Sequence, residues 1–215
     1  MTTEIRQGLD ARYKGDFIRM FCDAFPEIIV PVFGSVEQCA RLMEGSIAND
    51  RILIAVSGEW LVGFAGLHHS GKEWFDPSLP RLVAVMRWGL FRVVAMGIVL
   101  FKRPKPDTLH LDTLAVHPDM RGQGIGTQLI EAVEALAQSE GKRRVALDVE
   151  DINPRAKQLY EELGFIEEKF EKLPWPWQTR FPFSGSYLMS KNLETVEPGA
   201  YSREGSPTIS NPSSK

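Results

Sequence analysis

The stretch HLDTLAVHPDMRGQGIGTQL, residues 110–129, changes character at its middle. Its first half alternates as a strand does, and its end runs on into Leu129, Ile130, Val133, Leu136 and Ala137 at helical spacing. Between the halves stand Gly122, Gly124 and Gly126, two apart. A helix that begins on such a loop presents its first unpaired N–H groups, and the positive end of its dipole, with no Cβ in the way. Glycine also reaches the positive φ that turns successive N–H groups toward one point. Arg121 adds a charge at the rim. Read locally, residues 121–127 form a cradle for a pyrophosphate at a helix N-terminus.

Working outward, a short strand is expected near Ile5 and a helix over residues 10–25, with Phe17, Met20, Phe21 and Ala24 on one face and Pro26 at its end. A second helix should run from Ser35 to about Ile47. RILIAVSGEWLVGFAGLHH, residues 51–69, reads as a buried hairpin turning at Ser57-Gly58-Glu59. On the far side of the glycines, the helix over 127–140 stops at Gly141 and is followed by the strand RRVALDVE. Asn153-Pro154 then opens a helix over 155–163, closed by Gly164. FIEEKFEKL and SYLMSKNL read as two last strands joined by an aromatic loop. Residues 194–215 are rich in Ser, Pro, Gly and charge, and are expected to stay disordered. Residues 1–193 are expected to form one domain.

Three phosphate loops compete for residues 121–127. A Walker loop needs Lys after its last glycine, whereas Gly126 is followed by Thr127-Gln128. A dinucleotide fingerprint needs its first glycine directly after the strand, and HPDMR intervenes. The third pattern, R-x-x-G-x-G, is met in full by Arg121-Gly122-Gln123-Gly124-Ile125-Gly126. Preceded by LAVHPDM and followed by NPRAKQLYEELGF, it resembles the acetyl-CoA site of the GNAT superfamily of acyl-CoA N-acetyltransferases. The resemblance is strong over residues 109–166 and extends in layout from Ile5 to about Leu193. It implies an α/β (α+β) GNAT fold: a central, mixed, mostly antiparallel sheet of about seven strands, splayed between strands 4 and 5 and flanked by helices.

The same resemblance implies acetyl-CoA as acyl donor, a primary amine of a small molecule or peptide as acceptor, and no metal. The pantetheine arm would lie on the backbone of Leu114, Ala115 and Val116. The pyrophosphate would lie on Arg121, Gly122, Gln123, Gly124, Ile125, Gly126 and Thr127, with Asn153, Lys157 and Tyr160 also toward the cofactor. Tyr160 matches the family's general acid, and an unperturbed phenol of pKa about 10 is protonated at neutral pH. The base is open between His110 and Asp112, which share one strand face. Histidine has the more suitable intrinsic pKa, and aspartate needs burial or a water chain. Asp112 is slightly favoured. A covalent route through Cys22 or Cys39 is set aside, because buried structural cysteine is the commoner fate.

Composition excludes some partners. The formal charge of −3 over 215 residues, with acids and bases intermixed, gives no basic footprint for nucleic acid. The two cysteines lack CxxC spacing or a histidine cluster, so neither a disulfide framework nor a zinc site is expected. The start of the chain has no apolar core of a secretory signal, and a cytoplasmic location is the expectation.

Two segments depart from the family pattern. Residues 81–106 are apolar with six basic residues and no acid, and Arg87 and Arg92 interrupt them too often for a membrane span. As a helix, Arg81, Arg92 and Arg103 recur every eleven residues and form one stripe beside Trp88. That stripe would meet an anionic surface, the CoA phosphates or an acidic substrate, while the apolar remainder packs on the sheet or on a second subunit of a homodimer. LPWPWQTRFPF, residues 173–183, supplies Trp175, Trp177 and Phe181 as walls of an acceptor pocket, with a satellite core as the alternative. Two rival functions remain: a CoA-binding regulatory domain without turnover, and a membrane-peripheral acyltransferase with a longer acyl donor.

Overall fold

A computed structural model describes residues 2–69, 71–86, 89 and 105–193. Its helices are α1 (Lys14–Ala24), α2 (Pro26–Phe33), α3 (Val36–Met43), α4 (Leu79–Met86), α5 (Ile125–Ser139) and α6 (Pro154–Glu162). Its strands are β1 (Thr3–Gln7), β2 (Ile52–Ser57), β3 (Trp60–His69), β4 (Lys72–Glu73), β5 (Thr108–Val116), β6 (Arg144–Glu150), β7 (Ile166–Lys172) and β8 (Gly185–Asn192). Among the described residues these strands form one sheet in the order β1-β2-β3-β5-β6-β8-β7, with β4 added to β3. β5 and β6 pair parallel, and the other pairings are antiparallel.

The alternation of the central strands divides the core between two helical layers. Ile52, Ile54, Val56 and Phe64 pack beneath α1, α2 and α3, where Phe17 meets Phe64 at 4.5 Å and Phe21 meets Trp74 at 5.2 Å between ring centroids. Leu53, Ala55, Val62, Ala65, Leu109, Leu111, Val145 and Leu147 pack on the other face against α5, through Ile125, Leu129, Ile130 and Val133. With both faces covered, β2 is buried along its whole length, as the unbroken apolar run of residues 52–56 implies.

Local chemistry fixes the helix ends. The Ser35 hydroxyl accepts from the Gln38 N–H at 3.2 Å and caps α3. Pro26 ends α1 and also opens α2 at its first position, where its missing N–H costs nothing. Two differences from the sequence reading follow. α2 was not expected, because Pro26 and Pro31 punctuate its eight residues. α3 stops at Met43 rather than near Ile47, because Ile47 leaves to pair with Phe75 as an isolated bridge.

The feature that positions the site is the divergence of β5 from β6. Their pairing runs from Thr108↔Arg144 to Leu111↔Leu147 and then ceases, so β5 continues from Asp112 to Val116 without β6 beside it. On its other edge β5 carries a bulge: Gly66 opposes Thr113 and Leu67 opposes Leu111, which leaves Asp112 as the extra residue. A regular strand would put Asp112 and Thr113 on opposite faces; here both line the same cavity.

Gly66 permits this bulge. A Cβ there would stand 2.6 Å from Thr113 Oγ1 and 2.9 Å from the Trp74 ring. Gly66→Ala is therefore expected to destabilise the protein by about 1–3 kcal/mol through overpacking. Urea unfolding should also show that Thr113→Ala recovers part of the loss, since it removes one of the two obstructing groups.

Of residues 81–106, only α4, Gly89 and the stretch from Lys105 fall within the described residues. Arg81 donates to the Leu42 and Arg41 carbonyls at 3.1 and 2.7 Å, so its guanidinium closes the end of α3 rather than standing free in a stripe. Trp88, Arg92, Arg103 and the segment 194–215 lie outside the described residues. No described helix is long and apolar enough to cross a membrane.

Candidate active site

The glycine loop leaves the end of β5 and enters α5 as the sequence implies. Gly122 and Gly124 take φ of 76° and 78°, the left-handed region where a side chain is strained, and Gly124 is the N-cap of α5. Nothing lies within 4 Å of where a Cβ would stand at either position, so the space over the loop is open. No side chain caps the helix, and its first turn holds no acid. Its leading N–H groups and dipole therefore face that open space unopposed. Arg121 donates from Nε to the Val116 carbonyl at 3.2 Å and ties the loop to the end of β5. Ile125, 2% exposed, anchors the start of α5 in the core. Gly126 and Thr127 complete its first turn, and Gln123 reaches back toward the Asp119 carbonyl at 3.5 Å.

α6 lies beside this turn: a Cβ on Gly126 would stand 3.4 Å from Leu159. Asn153 caps α6 by accepting from the Ala156 N–H at 3.2 Å, the ordinary helix-start role. The Lys157 ammonium is held by Glu161 at 2.7 Å and Glu167 at 3.1 Å, 4.8 Å from the centre of the Tyr187 ring. Tyr160 is 8% exposed and packs against Phe165. Burial, then the charge of Glu150, pushes its phenol above the usual tyrosine range.

On the opposite face of the sheet, where β5 and β6 diverge, lies a cavity of about 240 Å³. Its sheet side is polar, with His110, Asp112 and Thr113 from β5, Asp148 and Glu150 from β6, and Glu171 from β7. His110 Nε2 lies 3.2 Å from Asp148 Oδ2 and 3.9 Å from Asp112 Oδ1. Asp112 Oδ2 and Thr113 Oγ1 are buried, and neither has a hydrogen-bond partner among the described residues. Burial is the main force on Asp112; Glu73 and Asp148 add to it and His110 opposes it, and the carboxyl is pushed up to about 7. Burial also raises Glu150, with Glu27, Asp148 and Asp151 adding repulsion.

His110 and Asp112, paired in the sequence by their spacing, are thus brought together. Asp148 and Glu150 were missed. They alternate with Val149 in ALDVE, a pattern that reads equally well as a solvent-facing strand edge; their one signal was position, opposite His110 and Asp112 on the strand expected to diverge.

The aromatic loop departs from expectation in detail. Trp175 is 81% exposed, Phe181 is 7% exposed within the core beneath α1, and Trp177 packs on that core. The loop residues that line the cavity are Leu173, Pro174 and Phe183. Asp151 fixes the loop's return by accepting from the Ser184 N–H at 3.2 Å and from its hydroxyl. Cys22 and Cys39 are both buried. The neighbouring Cys22 thiol, reinforced by burial, pushes Cys39 up, which is unfavourable to a thiolate nucleophile.

Comparison with known proteins gives this arrangement its context. Mycothiol acetyltransferase of Beutenbergia cavernae is 36% identical over 95 residues, 44% of this chain and 31% of that protein. Thialysine N-epsilon-acetyltransferase of Bos taurus is 38% identical over 74 residues, 34% of this chain and 44% of that protein. The chain thus spans less than half the length of either relative. Among solved structures, a protein of Corynebacterium glutamicum described as histone acetyltransferase HPA2 and related acetyltransferase superposes with a TM-score of 0.62 at 20% identity, covering 97% of this chain and all of that one. The PaiA N-acetyltransferase of Thermoplasma acidophilum, in complex with coenzyme A, superposes at 0.53 with 17% identity over 89% of this chain and 99% of that one. At such identities these structures speak for the fold. The model of the Acetyltransferase (GNAT) family matches residues 24–165, and over that span, which includes the glycine loop, the diverging strands and α6, this chain belongs to that family.

Proposed function

We propose that this chain transfers an acetyl group from acetyl-CoA directly to a primary amine. The observation that carries the reading is the edge of β5 from Asp112 to Val116 that β6 leaves unpaired, which runs between the open glycine loop on one side and the polar cavity on the other. A donor laid on the backbone of Leu114, Ala115 and Val116, with its pyrophosphate on residues 121–127, would bring its reactive end toward the cavity. Lys157 could join that cradle only by exchanging Glu161 and Glu167 for a phosphate.

The donor supplies an acetyl group activated as a thioester; the chain supplies position and proton transfers. Asp112, with its carboxyl near 7, takes a proton from the attacking amine. His110, held between Asp148 and Asp112, orients that carboxylate. A backbone N–H on the edge of β5 that β6 leaves unpaired steadies the charge that develops on the carbonyl oxygen. Tyr160, kept protonated by burial, returns a proton to the departing sulfur.

Titration calorimetry should detect acetyl-CoA binding, and thiol release should require a primary amine. Gly124→Val should weaken coenzyme A binding by about tenfold, because the free loop would relax out of the left-handed conformation that a β-branched residue disfavours by roughly 1–2 kcal/mol. Unchanged affinity in that variant would contradict the cradle. Binding without turnover toward any amine would mark a regulatory domain instead.

A further inference from the structure

We infer that the acceptor is a small primary amine bearing one positive charge and an apolar, preferably aromatic, body: an arylalkylamine rather than a polyamine, an aminosugar or a peptide N-terminus. The inference rests on the donor assignment proposed above and adds to it the chemistry of the second substrate.

The cavity has two unlike sides. The sheet contributes Asp112, Asp148, Glu150 and Glu171. Against these acids the lining places Lys172, an exposed residue, and His110, already between two aspartates. Glu171 is paired with Lys169 outside the lining, so the excess negative charge centres on Asp112 and its neighbours on β6. Carboxylates gathered in a half-buried space are costly without a cation. The Asp112 oxygen and the Thr113 hydroxyl that lack partners are buried in this same lining. An ammonium, with three donors, supplies what this side lacks.

The opposite side comes from α1, α2 and their junction, through Phe21, Phe25, Ile28, Val32 and Phe33, and is continued by Trp74 and Phe75. Apart from the Trp74 indole N–H, these side chains offer no hydrogen bonds. A body that carries hydroxyls, further ammonium groups or backbone amides would leave them unpaired against these rings, at about 1–3 kcal/mol for each neutral group and more for a charge. An aromatic ring there instead gains edge-to-face contact. The volume of about 240 Å³ lies below the usual ~300–1,000 Å³ of ligand pockets, which suits one ring and a short arm.

The test is a panel assay on the full chain: 2-phenylethylamine and tryptamine against spermidine, kanamycin, free lysine and an alanyl tripeptide. Thiol release is measured for each, and coenzyme A binding is measured separately by calorimetry. The expected result is a kcat/KM for the two aromatic amines about 10–100-fold above the others, from one or two unpaired groups avoided. Coenzyme A binding with equal or better turnover of spermidine, kanamycin, lysine or the tripeptide would overturn the acceptor class and leave the donor assignment standing. Turnover of another amine with none of either aromatic amine would do the same, and binding with no turnover of any amine would remove the transferase reading together with the acceptor inference. Failure to bind coenzyme A would remove the donor assignment, and the acceptor inference with it.

Discussion

Asp112→Asn is expected to lower kcat/KM at neutral pH by about 10²–10⁴-fold, the range for loss of a positioned base, and at the same time to make the folded protein more stable. Both effects come from one cause. Burial, with Glu73 and Asp148 adding to it, pushes the Asp112 carboxyl up to about 7, against about 3.9 in an unfolded chain. Between those values the folded state holds a proton that the unfolded state has released, so stability falls as pH rises through the window. Stability is whole below about pH 4 and fully reduced above about pH 7, and the shift corresponds to a penalty on the order of 4 kcal/mol. Asparagine has the same shape and no charge to desolvate. Its gain in melting temperature should therefore appear at about pH 8 and vanish at about pH 4, a dependence that simple repacking would not produce. The acidic limb of the kcat/KM profile, expected near pH 7 in the wild type, should disappear in the variant. A variant that keeps the limb would assign the base to a group other than Asp112, and equal melting shifts at both pH values would show that Asp112 is not held at a cost.

That cost was only partly legible in the sequence. The order of strand, glycine loop and helix over residues 110–140 could be read because each step has a local cause: alternation, positive φ and a 3.6-residue period. The hairpin at Ser57-Gly58-Glu59 was legible for the same reason. The placing of Asp112 and Thr113 together beside His110 was not, because the bulge that turns Asp112 and Thr113 to one face depends on Gly66 across the ladder, and period-two reasoning assumes a regular strand. Asp148 and Glu150 were overlooked on similar grounds. A carboxylate that alternates with valine usually faces water, and only the covering layer of α1 and α2 turns that face into a cavity. α2 itself was hidden by its two prolines, yet it supplies Ile28, Val32 and Phe33 to the cavity. In the aromatic loop the composition pointed to a segment that lines the cavity, through Leu173, Pro174 and Phe183 rather than Trp175, Trp177 and Phe181. Which way a side chain leaves an irregular loop is decided by anchors such as Asp151 on Ser184 and by the core that takes up Phe181.

Tyr160→Phe should lower kcat by about 10²–10³-fold while coenzyme A affinity stays within a few-fold of wild type. The phenol is buried on α6 and raised above the ordinary tyrosine range by burial and by Glu150, so it remains protonated wherever the fold survives. Its titration should therefore put no basic limb on the wild-type rate. Phenylalanine keeps the ring against Phe165, and the loss of one hydroxyl should shift denaturant unfolding by no more than about 1 kcal/mol. A positional role for the ring would be preserved in this variant, so retained activity would count against the acid. The dependence on the leaving group separates the two more sharply. A proton from Tyr160 matters most when the departing thiolate is basic, and little when it is already stable in water. With an acetyl thioester of an acidic aryl thiol, wild type and Tyr160→Phe should turn over at nearly the same rate, although the two differ by orders of magnitude with acetyl-CoA. If the deficit is equally large with both donors, Tyr160 shapes the site and the sulfur receives its proton from elsewhere.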